Sequence, residues 1–108
     1  MTVQRSERFD TDVERQFRWY LLQTHLDPVD ALALATRFAE AVDSTLDLLH
    51  RNPEMGRRRF RTYPDLAVTR SLALRKPFRR FIIFYRIERG LLAAERLLEE
   101  HRRLAGGK

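Results

Sequence analysis

A short stretch of apolar and polar residues at 2–9 is compatible with an opening strand, with Arg5 and Glu7 interrupting the pattern. Thr11 and Glu14 then stand in capping-box spacing, an arrangement that satisfies orphan amides at a helix start. Phe9, Val13, Phe17, Tyr20 and Leu21 recur mostly at intervals of three and four, so they predict one apolar face of a helix of about four turns. A second start follows at Asp27-Pro28, where Asp27 can cap, Pro28 suits the first helical position and Asp30 complements the dipole. From there Ala31, Ala35, Phe38, Val42, Thr45, Leu46 and Leu49 form a stripe that stops at His50, Arg51 and Asn52-Pro53. This second helix spans about 24 residues, or roughly 36 Å. Only a few residues separate the two helices, so they fold back as an antiparallel hairpin. Alanines at 31, 33, 35, 39 and 41 permit a close neighbour.

Beyond Gly56 the period changes. Leu66, Val68, Leu72 and Leu74 alternate with smaller residues at strand spacing, interrupted on the apolar side by Arg70. Arg75-Lys76-Pro77 reads as a turn. Residues 81–87 are apolar on both faces, which predicts a central strand covered on each side. Glu88-Arg89-Gly90 suits a hairpin connection. Residues 91–104 read two ways: propensity favours a helix, whereas a central strand at 81–87 needs a second neighbour. No internal repeat or linker divides the chain, so residues 1–108 are expected to form one domain.

Composition narrows the chemistry. The chain has no cysteine, which excludes a disulfide framework, a thiol nucleophile and a Cys-ligated zinc site, and fits a reducing compartment. Charged residues crowd the first 27 positions, and no uncharged apolar run approaches the roughly 18 residues of a membrane span. A cytoplasmic protein with no membrane partner is expected. The formal charge of +6 is unevenly placed: residues 1–56 carry net −4 and residues 57–108 net +10. Such asymmetry points to an anionic partner, either nucleic acid or an acidic protein segment, or to a solvated basic face.

Catalytic groups are few. His25, His50 and His101 lack metal-ligand spacing, Ser6, Ser44 and Ser71 sit in no nucleophile elbow, and no glycine-rich phosphate loop occurs. No metal and no cofactor is therefore expected. What remains is arginine, whose permanent charge and bidentate donors suit phosphate and carboxylate. Guanidinium groups could stabilise a phosphorane if some residue supplied acid–base chemistry. His101 and Tyr85 are the candidates, although His101 also reads as a tail residue and Tyr85 as a buried strand aromatic.

The order of these elements carries a resemblance. A short strand, a helical hairpin ending in Pro53-x-x-Gly56, a strand, a central strand reading Phe-Ile-Ile-Phe-Tyr-Arg at 81–86, and a last segment with Arg96 and Arg102 resemble the ParE/RelE toxin superfamily, the ParE branch above all. Arg96, Leu97-Leu98 and Arg102 match the closing Arg-Val-Leu-His-Gly-x-Arg-Asp of that branch; Glu99, Glu100 and Arg103 stand where it has His, Gly and Asp. The resemblance implies an α+β fold: an N-terminal strand and an antiparallel two-helix hairpin packed on a small antiparallel sheet, in the order β-α-α-β-β-β. It also turns residues 91–97 into a strand against local propensity.

The resemblance implies a toxin of a type II toxin-antitoxin system that inhibits DNA gyrase and forms a hetero-oligomer with a cognate antitoxin. An amphipathic helix of the antitoxin would lie along the hairpin at Phe17, Leu21 and Phe38. An extended acidic strand would meet Arg70, Arg75, Arg80, Arg86, Arg96 and Arg102. An alternative is a RelE-like ribosome-dependent mRNA endonuclease, with Arg75, Arg86, Arg96 and Arg102 on phosphate and His101 as the acid–base group. Against it, Ile82 stands where those nucleases commonly carry a basic residue, and no tyrosine follows Tyr85. A third reading is a non-enzymatic nucleic-acid-binding module.

Overall fold

The structure is a computed structural model that describes residues 1–100 except Arg59 and Arg61. The elements are β1 (Thr2–Arg5), α1 (Glu7–Leu21), α2 (Pro28–Arg51), β2 (Arg57–Arg58), a 3-10 turn at Pro64–Leu66, β3 (Arg70–Ala73), β4 (Phe81–Glu88) and β5 (Leu91–Glu99). The strands form one sheet in the order β1-β5-β4-β3-β2. The α+β class and the hairpin-on-sheet layout are as the sequence implies. The sheet is mixed, because β1 runs parallel to β5, and the two-residue β2 extends it beyond β3. Nothing within residues 2–5 encodes a direction; it is set by pairing with Leu91–Ala94 at the other end of the chain.

Helix α1 begins at Ser6, not at the capping box of Thr11 and Glu14. The Ser6 hydroxyl accepts from the Phe9 amide at 3.0 Å and donates to the Glu95 carbonyl at 2.9 Å. The Ser6 amide donates to the Ala94 carbonyl. These bonds to β5 fix the helix start and shorten the opening strand to four residues. Acidic Glu7 and Asp10 occupy the first turn, where the dipole favours them. Helix α2 matches expectation at both ends, with Asp27 accepting from the Asp30 amide at 3.0 Å and Pro28 at the first position. Every residue of its predicted stripe is buried.

The stripe meets the inner face of the sheet. Phe81, Ile83 and Tyr85 of β4 and Leu92, Ala94 and Leu97 of β5 join Phe9 and Tyr20 of α1 in one core. Its centre is aromatic: Phe38 lies 5.5 Å from Tyr20, 5.6 Å from Phe78 and 5.3 Å from Phe81, ring centre to ring centre. Phe38 is therefore a core residue with no exposed surface, which corrects its assignment to a partner-facing groove. Burying such a ring contributes about 1.5–3 kcal/mol, and no partner could reach it without opening the core.

The β5 segment forms a strand throughout, pairing with β4 along its length and with β1 over Leu91 to Ala94. Ladder bonds and core burial outweigh helix preferences of tenths of a kcal/mol per residue. One bulge interrupts the ladder: Phe84 faces Arg96 and Tyr85 faces Ala94, leaving Glu95 as the extra residue whose carbonyl Ser6 uses. The β4–β5 connection is a two-residue turn with positive φ at both Arg89 (48°) and Gly90 (77°), as type I′ geometry requires.

The strand expected over residues 66–74 is reduced to Arg70–Ala73. Pro64 begins a 3-10 turn, and the Leu66 and Thr69 amides bond locally to the Tyr63 and Leu66 carbonyls. Leu66 and Val68 consequently face solvent, while Leu74 is buried. Residues 75–80 form two consecutive turns, closed by Phe78 N to Arg75 O at 2.9 Å and Phe81 N to Phe78 O at 3.0 Å.

Candidate partner-binding groove

Strand β1 pairs with β5 only as far as Ala94, so the outer amides of β5 beyond that point need another partner. Asp12 of α1 supplies one. Its carboxylate accepts from the Leu97 amide at 2.9 Å and from Arg96 Nε and Nη2 at 2.8 and 3.1 Å. The Asp12 hydrogen bond holds the Arg96 guanidinium above its ordinary pKa, against the opposing effect of burial. Arg96 is thus a fastener that joins β5 to α1.

Around this seam a groove of about 1190 Å³ opens between α1 and the adjoining ends of β4 and β5. One wall is a second stripe of α1, Arg15, Arg18, Trp19 and Leu22; the other carries Arg80, Leu98 and Glu99. Trp19 is 51% exposed and Leu22 74%, large apolar surfaces for a helix already buried on its other face. Arg18 pairs with Glu14 at 2.6 Å. Arg80 approaches Glu99 at 3.6 Å and lies 5.3 Å from the Phe81 ring centre. The groove can therefore hold apolar side chains at Trp19 and Leu22 while meeting carboxylates with Arg15, and with Arg18 and Arg80 by exchange of their weak surface ion pairs.

The family model described as the ParE toxin of type II toxin-antitoxin system, parDE, matches residues 3–102. The chain belongs to the ParE toxin family. A solved structure described as the chromosomal ParDE TA system from P. aeruginosa shares the fold, with TM-score 0.68 at 16% identity, covering 92% of this chain and 95% of that one. A sequence search of the curated proteins finds no match.

In this ParE-family toxin the arginines singled out in the sequence are dispersed. Arg80 and Arg96 meet in the groove. Arg70 lies at the far side of the sheet, where its Nη1 donates to the Glu54 and Gly56 carbonyls at 2.9 Å each. Arg86 binds Glu95 at 3.1 Å and the Asp65 carbonyl at 3.0 Å. Arg75 is exposed on the β3–β4 turn. Phe17 packs partly buried against the core, and Leu21 is 40% exposed but does not line the groove. His101 and Arg102 lie outside the described residues.

Tyr85 is the buried strand aromatic, and its hydroxyl is fully engaged. It donates to the Pro53 carbonyl at 2.7 Å and accepts from the Gly56 amide at 3.0 Å. Burial pushes the hydroxyl pKa up, partly offset by the Gly56 bond and by Arg70. This contact explains the Pro53-x-x-Gly56 spacing: a Cβ at Gly56 would come within 2.8 Å of Tyr85 Cε1 and 2.9 Å of the Ser71 carbonyl. Of the groove residues only Arg80 and Arg96 were among the sequence candidates, and Asp12, Arg15, Arg18, Trp19 and Leu22 were missed. The Arg15, Arg18, Trp19, Leu22 spacing was a usable signal for Trp19, since it marks a second face of the same helix. Asp12 had none, because its role depends on how far β1 extends.

Proposed function

We propose that this ParE-family toxin acts in the cytoplasm as a single domain, inhibits DNA gyrase, and is neutralised by a cognate antitoxin whose C-terminal segment occupies the α1–β5 groove. The observation that carries this reading is the groove's composition: exposed Trp19 and Leu22 beside Arg15, Arg18 and Arg80 suit an amphipathic acidic segment. The internal use of Arg86 and Arg96, and the occupied hydroxyl of Tyr85, count against phosphate chemistry at the sheet.

Two measurements test it. Purified toxin should inhibit supercoiling by purified gyrase, and adding the antitoxin encoded beside it should restore activity. Translation arrest with cleaved transcripts, without any effect on supercoiling, overturns the gyrase reading. Replacing Trp19→Ser and Leu22→Ser together should weaken antitoxin binding at least tenfold, about 1.4 kcal/mol. The association rate should fall as salt rises, because the arginines steer an acidic partner. Unchanged affinity in the double variant places the antitoxin elsewhere.

A further inference from the structure

We propose that the β3–β4 turn is a docking corner for the phosphodiester backbone of a nucleic acid, separate from the antitoxin groove. Arg75, Lys76 and Arg79 are exposed there and have no carboxylate partner among the described residues. Within β3, β4 and β5 the arginines are neutralised: Arg70, Arg86 and Arg96 each face a carboxylate. The backbone that carries the free cations is fixed. Two consecutive turns close it, Leu74 N donates to Phe81 O at 2.9 Å, and Phe78 is anchored 6.0 Å from Tyr20 and 5.6 Å from Phe38. The backbone under the charges is therefore held in place before any ligand arrives, so that binding has only the side chains to order.

The surroundings favour phosphate over a protein carboxylate. An acidic protein segment draws most of its affinity from apolar anchors that accompany the charge. At this corner Leu74, Phe78 and Phe81 are all buried, and the exposed apolar residues of segment 73–81 are the small Ala73 and Pro77. Backbone phosphates need only charge and donors, and guanidinium groups bind them bidentately. The groove, with Trp19 and Leu22, is built the opposite way.

The proposal goes beyond the gyrase reading, and its test contains neither gyrase nor antitoxin. Binding of the full chain to short fluorescein-labelled duplex DNA, single-stranded DNA and RNA is followed by anisotropy across a salt series. The Arg75→Gln/Lys76→Gln/Arg79→Gln variant should flatten the salt slope by about 0.9 per lost phosphate contact on the duplex, or about two to three in all. A control that removes the same charge elsewhere, Arg8→Gln/Arg37→Gln/Arg89→Gln, should keep the wild-type slope. Arg75→Lys/Arg79→Lys should keep it too. Corner dependence on any of the three probes supports the proposal, and the steepest identifies the strand type. Equal losses in both triple variants, or no salt-dependent binding by the wild type, overturn it; so does corner-dependent binding of a polyglutamate peptide but of none of the nucleic acids.

Discussion

The α1–β5 seam and the β3–β4 corner adjoin at Arg80, yet they use cations in opposite ways. At the seam Arg96 is half-withdrawn from solvent and bonded twice to a carboxylate that also closes the β5 edge. At the corner Arg75, Lys76 and Arg79 stand in water on a backbone held from below by Phe78. The far side of the sheet repeats the seam's solution, with Arg70 14% exposed and bonded to two carbonyls. These described cations thus form two populations. Fasteners exchange hydration for fixed hydrogen bonds and should act on stability. Free cations keep their hydration and should act on association.

Removing a fastener is the strongest way to break that distinction. Asp12→Ala leaves the Leu97 amide and Arg96 without their shared acceptor, and should cost about 2–3 kcal/mol, the range for charge-assisted bonds with one partner partly exposed. Urea unfolding measures it directly. Adding Arg96→Leu to Asp12→Ala should cost much less than the sum of the single changes, because the residues act as a pair. A single-variant loss below about 0.5 kcal/mol would mean that the seam is not fastened there.

A neutral fastener sharpens the contrast with pH. Tyr85→Phe strands the Pro53 carbonyl and the Gly56 amide, at a cost of about 1–2 kcal/mol. Burial raises the folded-state hydroxyl pKa above the ordinary value of 10.0. The neutral hydroxyl's contribution is therefore complete below that ordinary value and is lost as pH climbs through the raised one. The gap between wild type and Tyr85→Phe should be constant at neutral pH and narrow in the alkaline range. A gap that widens there contradicts the burial of this hydroxyl.

What could be foreseen from residue order follows the same division between local and distant causes. Helix α2 and strand β4 are set locally: Asp27-Pro28 starts one, and the unbroken apolar run makes the other central. The start of α1 is not, since Ser6 prevails over Thr11 through bonds to Glu95 and Ala94 far along the chain. Strand β5 needed a family likeness to overrule its own propensity, and β1's parallel direction had no signal at all. The strand expected at residues 66–74 failed at Pro64, where local turn bonds take the amides a longer ladder would have used. In the groove, Arg80 and Arg96 were singled out by residue type as partner contacts, but Arg96 is bonded internally to Asp12, and Phe38 was misplaced because one apolar stripe cannot say whether a neighbour or a partner covers it. Only the packed Tyr20, Phe78 and Phe81 decide that.

The smallest expected effect belongs to the corner. Arg75→Gln/Lys76→Gln/Arg79→Gln removes three charges that bond no carboxylate, and leaves intact the Arg75 carbonyl that closes the first turn. Exposed side chains without partners contribute within about 0.5 kcal/mol, and easing the mutual repulsion of three neighbouring cations works in the stabilising direction. Urea unfolding should place the variant at or slightly above the wild-type midpoint with an unchanged slope. Raising the salt should bring the two proteins together, because the repulsion that separates them is screened within about 10 Å at 0.1 M. A loss above about 1 kcal/mol, far outside the range for unpaired surface charge, would show that these cations hold the turn together, and the corner would then be a second seam.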